Sequence, residues 1–260
     1  MLTFVGLGLW DEKDVSVRGL EAVRAADVVF AEWYTAHLGG ASPQKLLDFY
    51  GRDITFLDRD PLEKGDIILE TARTKDVALL AVGDSMTATT HVDLRVRAEQ
   101  AGIKTRVIHG ASIATAVAGL LGLMSYKFGR ATTVVFPDGN YFPTSPYDVL
   151  RDNRARGLHT LTLLDLRAAE GRFMTASEGA ALLLRMERER AEGVFTGESE
   201  AFAIVRAGSA EPGVWRGKLS ALAVADLGAP LHTLVVPGNL HFVEEEAVHT
   251  LARPVTSPQP

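Results

Sequence analysis

With 260 residues, 47% of them hydrophobic and 23% charged, the chain has the composition of a soluble globular protein and the length of one large domain or two ordinary ones. It has no cysteine, which excludes disulfides, a thiolate metal site and a cysteine nucleophile. Net charge is -6 with acidic and basic residues interleaved, so a broad nucleic-acid-binding face is disfavoured, because phosphate contacts need clustered Lys and Arg.

The N-terminus, MLTFVGLGLWDEKD, has neither a basic n-region nor a small-residue cleavage site. Its apolar run, and the longer one over 111–124, are both too short to span a membrane. Residues 2–5 read as a strand and 6–9 (GLGL) as a turn. Val17, Leu20 and Val23 then recur at helical spacing before a second apolar run over 28–33, which makes a βαβ start. Gly6 and Gly8 do not form a dinucleotide fingerprint. Asp11 stands where the third glycine belongs, and Asp11, Glu12 and Asp14 put negative charge where a pyrophosphate would sit. A ligand without phosphates could still approach the backbone at Gly8 and Leu9.

From 37 to 51 the sequence turns polar and glycine-rich; 54–57 then suggest a strand and 62–73 a helix. Residues 77–82 are nearly all apolar, as in a strand buried on both faces of a parallel sheet. Gly83 lets the chain turn, and Asp84, Ser85, Thr87, Thr89 and Thr90 crowd hydroxyls and a carboxylate into the bend. Thr89 or Thr90 can cap a helix over 90–101, in which Asp93 and Arg97 are spaced to pair. Loops at the carboxyl ends of parallel strands are where open α/β sheets bind ligands. A further strand over 105–109 leads through Gly110-Ala111-Ser112-Ile113 into an apolar core helix, with Ser112 either an N-cap or a ligand contact.

Residues 127–130 read as a connection and 131–136 as a strand. A domain boundary placed there gives two α/β domains, 1–125 and 126–260, with a ligand cleft expected between them. The PDGNYFPTSP segment is rigid, with Tyr141 and Phe142 placed at the surface or packed beneath a loop. A strand ends at Asp165. Thr175-Ala176-Ser177-Glu178 is a capping-box pattern ahead of Leu182, Leu183 and Met186, and the charge run over 185–192 reads as a solvated helix face. Strands over 202–206 and 231–236, a helix over 241–252 and a frayed proline-rich tail complete the chain. The second half lacks a strict βαβ rhythm, so its sheet is expected to be mixed.

No nucleophile, base and orienter grouping, no P-loop and no metal-ligand spacing is legible, so the chemistry is expected to come with a cosubstrate and no metal. The segments FVGLGLWDEKDVSVRGLEAVRAAD, VFAEWYT, GDSMTATTH, HGASI, YKFGRATTV, NYFPTSPYDV, HTLTLLDL, FMTASE, RAGS and HTLVVPGNLHFVE run in order through nearly the whole chain. Together they resemble the diphthine synthase family of archaeal type. That family belongs to the tetrapyrrole-methylase-like class of S-adenosylmethionine-dependent methyltransferases. GLGL and GDSMTATTH are shared in part with the wider class, whereas YKFG and FPTSPYDV point to the family itself.

The resemblance implies a cytoplasmic homodimer with two α/β domains that takes S-adenosyl-L-methionine as cosubstrate and releases S-adenosyl-L-homocysteine. It also implies trimethylation of the amino group on the 3-amino-3-carboxypropyl histidine of translation elongation factor 2, in diphthamide biosynthesis. Carried onto matching positions, the cofactor contacts are Leu9, Asp84, Thr87, Ser112, Ile113, Leu163, Ala207 and His232. Ser85 stands where the family usually has Pro, so the loop is expected to be less rigid, and Thr87 occupies a commonly apolar position. Methyl transfer from a sulfonium needs positioning more than acid–base groups. His91, Asp84, Asp165 and His232 are the side chains that could take the amine proton, none of them singled out as the catalytic one. The rival readings are a tetrapyrrole or ribosomal-RNA methyltransferase of the same class, and a non-catalytic adenosine-ligand binding module.

Overall fold

The computed structural model describes residues 1–33 and 37–255. The Tyr-Thr end of VFAEWYT and the proline-rich tail expected at the C-terminus lie outside them. The chain divides into two compact units, Met1–Ile113 with Leu166–Arg172, and Ala114–Asp165 with the residues from Phe173 onward.

The first unit contains β1 (Leu2–Gly6), α1 (Val17–Ala25), β2 (Val28–Glu32), α2 (Pro43–Tyr50), β3 (Thr55–Leu57), α3 (Arg59–Lys64), α4 (Asp66–Ala72), β4 (Val77–Ala81), α5 (His91–Gln100) and β5 (Thr105–Ile108). Its five strands are all parallel, in the order β3-β2-β4-β1-β5. β1 and β2 are therefore not neighbours, because β4 lies between them. Every residue of β1 and β4 is buried, and alternation sends their side chains to two separate cores. Leu2, Phe4, Val77 and Leu79 pack with Leu62, Ile68, Leu94 and Ala98 of α3, α4 and α5. Val5, Ala78 and Leu80 pack on the other face with Val23 of α1 and with Leu46 and Tyr50 of α2.

Helix details depart from the sequence reading where a glycine or a cap decides them. Val17 sits at the exposed start of α1 and is 75% exposed; Gly19 and Val23 make its buried face. The polar stretch after residue 37 contains α2, started by the Ser42 cap and Pro43 and closed by left-handed Gly51. The helix expected over 62–73 is two helices, α3 and α4, hinged at left-handed Gly65.

The second unit holds α6 (Ile113–Leu121), β6 (Thr132–Val134), α7 (Ser145–Ala155), β7 (Thr160–Leu164), α8 (Ala176–Arg190), β10 (Glu200–Val205), β11 (Gly213–Lys218), α9 (Leu219–Leu222), β12 (His232–Val236), α10 (Phe242–Leu251) and β13 (Arg253–Pro254). Between β7 and α8 in the chain, β8 (Leu166–Arg167) and β9 (Arg172–Phe173) form a two-stranded ribbon that belongs, as far as Arg172, to the first unit. The main sheet, in order β13-β11-β10-β12-β7-β6, is mixed as expected: β10 runs antiparallel to both β11 and β12, β12 antiparallel to β7, and β6 parallel to β7. α6, expected with the first domain, belongs here from Ala114 onward. A Cβ added to Gly122 just past its end would lie 2.5 Å from the Ala247 methyl of α10.

Two polar networks order this unit. Glu244 of α10 is completely buried. Its Oε1 accepts from Met124 N–H (2.8 Å) and His159 Nε2 (3.1 Å), and its Oε2 accepts from His241 N–H (2.8 Å) and the Lys127 ammonium. The YKFG and LHFVE motifs are thus two sides of one ion-pair hub. Burial alone would raise the Glu244 pKa, but these donors outweigh it and hold the carboxyl at about 2. The second network corrects the expectation of a purely solvated charge run in α8. Glu187 accepts from Tyr147 Oη and from the Gly193 and Phe195 amides, and Arg190 grips Asp148 of α7 at 2.8 Å and 3.3 Å. The expected capping box at Thr175 and Glu178 is present. Tyr141 is 66% exposed, whereas Phe142 packs on the core beneath the Arg185 guanidinium. No helix among the described residues is long and apolar enough to cross a membrane.

Candidate functional site

The carboxyl ends of β4, β1 and β5, side by side in the first sheet, are drawn together by three glycines. A Cβ on Gly6 would fall 2.5 Å from Gly110 N and 2.7 Å from Gly83 O, and one on Gly110 would fall 2.5 Å from Gly83 O. Only residues without side chains allow three loops to meet backbone to backbone in this way. Gly8 and Gly83 exchange two hydrogen bonds (3.2 and 2.8 Å), which fasten the GLGL turn to the loop after β4.

Asp14 completes that turn. Its Oδ2 accepts from the N–H groups of Leu9 (3.1 Å) and Trp10 (2.6 Å), so the chain's own carboxylate fills the place a bound anion would take. This supplies the physical reason against a phosphate site. It also narrows the backbone approach expected at Gly8 and Leu9: both N–H groups are committed internally, and the Leu9 carbonyl is what the turn can offer a ligand.

Asp84 organises the next loop. Its Oδ1 accepts from Met86 N–H (2.9 Å) and Thr87 Oγ1 (3.3 Å), and its Oδ2 from His109 Nδ1 (2.8 Å) and Gly110 N–H (3.2 Å). Burial would raise its pKa, but the bonds from Met86, His109 and Gly110 prevail and lower it. Four donors leave this carboxylate as the clasp between the β4 and β5 loops. Thr87 is exposed beside it. Ser112 is buried, its Oγ 4.0 Å from where a Gly83 Cβ would stand, and half-buried Ile113 opens α6. Thus Leu9, Asp84, Thr87, Ser112 and Ile113 lie on adjoining loops at one edge of the first sheet.

Of the two hydroxyls expected to cap the helix, Thr89 accepts from its first amide, His91 N–H, at 3.3 Å, and Thr90 makes no side-chain cap. The His91 ring, 3% exposed, donates through Nδ1 to the Ser85 carbonyl (3.0 Å) and sets Nε2 2.9 Å from Glu32 Oε2, an ion-pair contact off the angle of a well-formed hydrogen bond. Ser85 is fully buried, and its hydroxyl has no partner among the described residues.

In the second unit, Leu163, Ala207 and His232 gather at one end of the main sheet. Leu163 is half-buried in β7, opposite Thr133. Val205 pairs with His232, and Ala207 follows two residues on. His232 Nδ1 accepts from Ala176 N–H (3.0 Å), Nε2 donates to the Ala229 carbonyl (3.1 Å), and burial, outweighing the Ala229 and Gly228 backbone bonds that favour the charged ring, lowers its pKa. Of the four side chains able to take an amine proton, all are engaged: Asp84, His91 and His232 as described, and Asp165 through Phe136 N–H (3.0 Å). Sequence reasoning missed Asp14 as a clamp, the Gly6, Gly83 and Gly110 contact, and Glu32 behind His91. Only the glycines carried a local signal.

The parallel sheet with small-residue loops at its carboxyl edge and the mixed-sheet second unit accompany a match of residues 1–223 to the family model of the tetrapyrrole (corrin/porphyrin) methylases, and the chain is a methylase of that class. A curated relative from Methanocella arvoryzae, named diphthine synthase, is 48% identical over 254 residues, covering 97% of this chain and 98% of its own. Another of that name, from Methanosphaera stadtmanae, is 46% identical over 252 residues, covering 97% and 96%. A crystal structure of a diphthine synthase superposes with a TM-score of 0.88 at 42% identity, covering 97% of this chain and 96% of the other. The chain belongs to the diphthine synthase family and is a methyltransferase.

Proposed function

We propose that this protein transfers methyl groups from S-adenosylmethionine to the amino group of the 3-amino-3-carboxypropyl histidine of translation elongation factor 2, three times, as a step of diphthamide biosynthesis. The observation that carries the cofactor half of this reading is the glycine-packed meeting of the β1, β4 and β5 loops, whose carboxylates are already satisfied from within. Such an edge suits an uncharged adenosine held by backbone and short side chains, and is ill suited to a polyphosphate. The Leu9 carbonyl, the Asp84 to Thr87 loop, Ser112 and Ile113 are the proposed contacts from the first unit. Leu163, Ala207 and His232 are those proposed from the second.

When bound, S-adenosylmethionine supplies a methyl group on a sulfonium, with a neutral thioether as leaving group. The chain's part is then orientation. Holding an amine in line with such a carbon can supply about 7–11 kcal/mol of the acceleration without an acid or base. This agrees with His232 being buried and bonded through both ring nitrogens, and with buried His91 being bonded through Nδ1 to the Ser85 carbonyl and set by Nε2 against Glu32; the amine reacts in its neutral form, and the proton released in the first two transfers leaves to water. The family relatives named diphthine synthase support the protein acceptor over a tetrapyrrole or RNA. Homodimerisation and a cytoplasmic location belong to the same reading; sedimentation of the purified protein tests the former.

The deciding experiment incubates the enzyme and S-adenosylmethionine with elongation factor 2 carrying either the unmodified or the 3-amino-3-carboxypropyl histidine. Mass spectrometry should find up to three added methyl groups on the modified form alone. Methyl groups found only on a porphyrinoid or on RNA would overturn the reading.

A further inference from the structure

The turn from β10 to β11 carries donors that find no acceptor among the described residues. Arg206, the first residue past β10, holds a left-handed backbone (φ 53°), a conformation that costs a residue with a long side chain energy and that concentrates at binding sites. It is fixed there by two hydrogen bonds: its N–H donates to the Leu231 carbonyl (2.8 Å), and Ser209 N–H donates to the Arg206 carbonyl (3.1 Å). The Arg206 Nε and Ser209 Oγ atoms are shielded from solvent, yet neither has a hydrogen-bond partner among the described residues. The same holds for the indole Nε1 of Trp215, which lies beside Gly213 on the opposite strand of this hairpin.

Such atoms are rare, because a buried donor left unmade loses its hydration for nothing. The chain has 33 acidic residues against 27 basic ones, yet no carboxylate among the described residues pairs with the Arg206 guanidinium, not even Glu211 in the same turn. Arg206 also adjoins Ala207, and Val205 before it pairs with His232, so the turn stands at the sheet end where two proposed cofactor contacts lie. An acceptor with more than one oxygen would suit these donors. A guanidinium binds a carboxylate through parallel N–H donors, and a neighbouring hydroxyl adds a third.

We propose that the 206–209 turn is a carboxylate subsite, in which Arg206 and Ser209 hold the carboxylate of an α-amino-acid group. The inference rests on the function proposed above, whose reaction offers two such groups: the methionyl end of the donor and the carboxylate beside the accepting amine. The variants Arg206→Met and Ser209→Ala separate them. Calorimetry is run with S-adenosylhomocysteine and with methylthioadenosine, which keeps the adenosine and thioether but lacks the amino-acid end. Initial rates are measured against elongation factor 2 at saturating donor.

If the donor carboxylate binds here, Arg206→Met weakens S-adenosylhomocysteine by about tenfold or more and leaves methylthioadenosine unchanged; Ser209→Ala gives a smaller loss of the same kind. If the acceptor carboxylate binds here, both calorimetric affinities hold and kcat/KM for elongation factor 2 falls by about tenfold or more. Either result supports the subsite. Unchanged affinity and unchanged rates overturn it, as does an equal weakening of both adenosine ligands with a lowered melting temperature, the signature of a merely structural turn. A wild-type protein that neither binds S-adenosylhomocysteine nor methylates elongation factor 2 removes the functional reading and this subsite together. Normal wild-type activity with a silent Arg206→Met removes the subsite alone.

Discussion

Asp84 holds two loops at once. Replacing it with Ala leaves the Met86 and Gly110 amides, the Thr87 hydroxyl and His109 without their common acceptor. We expect Asp84→Ala to weaken cofactor binding by about 10–100-fold, with a smaller change in the rate at saturating cofactor. Calorimetry showing wild-type affinity together with abolished turnover would refute this. At the neighbouring position the fully buried Ser85 hydroxyl has no partner among the described residues. Ser85→Pro removes that hydroxyl and stiffens the unfolded chain, while the Ser85 carbonyl that receives His91 is kept. A gain of about 0.4–1 kcal/mol is expected from chemical denaturation, with tighter cofactor binding. A loss of stability would mean that the loop cannot take the proline backbone.

Among the elements, the meeting of β1, β4 and β5 is the least tolerant of added atoms. Gly110→Ala forces a methyl to within 2.5 Å of the Gly83 carbonyl, which is backbone and cannot rotate away. It should cost at the upper end of about 1–3 kcal/mol or more. Gly119→Ala in α6 is the matched control: nothing lies within 4 Å and the backbone is helical, so a gain of about 1 kcal/mol is expected. Urea midpoints of the two variants should move in opposite directions. These elements also mark how far the sequence could be read. β4 is an unbroken apolar run and β1 is interrupted only by Thr3, as suits doubly covered parallel strands. α2 went unnoticed because glycines flank it, and β11 because its half-buried residues alternate in no clear pattern. The hinge at Gly65 needed knowledge of the Leu94 side chain against it.

For the molecule as a whole, the buried Glu244 hub makes stability depend on acid. Its carboxyl is held at about 2 in the folded state against an ordinary 4.5, so its contribution is complete above pH 4.5 and is lost as pH falls from there toward 2. His159 acts in the same direction. Burial lowers its pKa below 6.5, so the unfolded chain takes up the proton first and stability falls as pH drops through that value. Glu244→Gln leaves the Lys127 ammonium without its anion and should cost about 3–5 kcal/mol at pH 7. Denaturation curves between pH 7 and 3 should fall less steeply for the variant than for the wild type; parallel curves would disprove the assignment.

The sequence by itself determined the parallel sheet, the mixed second sheet, the capping box and the rejection of a phosphate cradle. Each is a matter of local periodicity or local charge. Only the tertiary structure decided that Asp14 turns back to clamp Leu9 and Trp10, that three glycines from distant strands touch, that Glu244 gathers YKFG onto α10, and that the Arg206 Nε finds no partner among the described residues. Those contacts join groups whose separation in space is set by strand order and helix packing. No pattern of neighbouring residues encodes that separation.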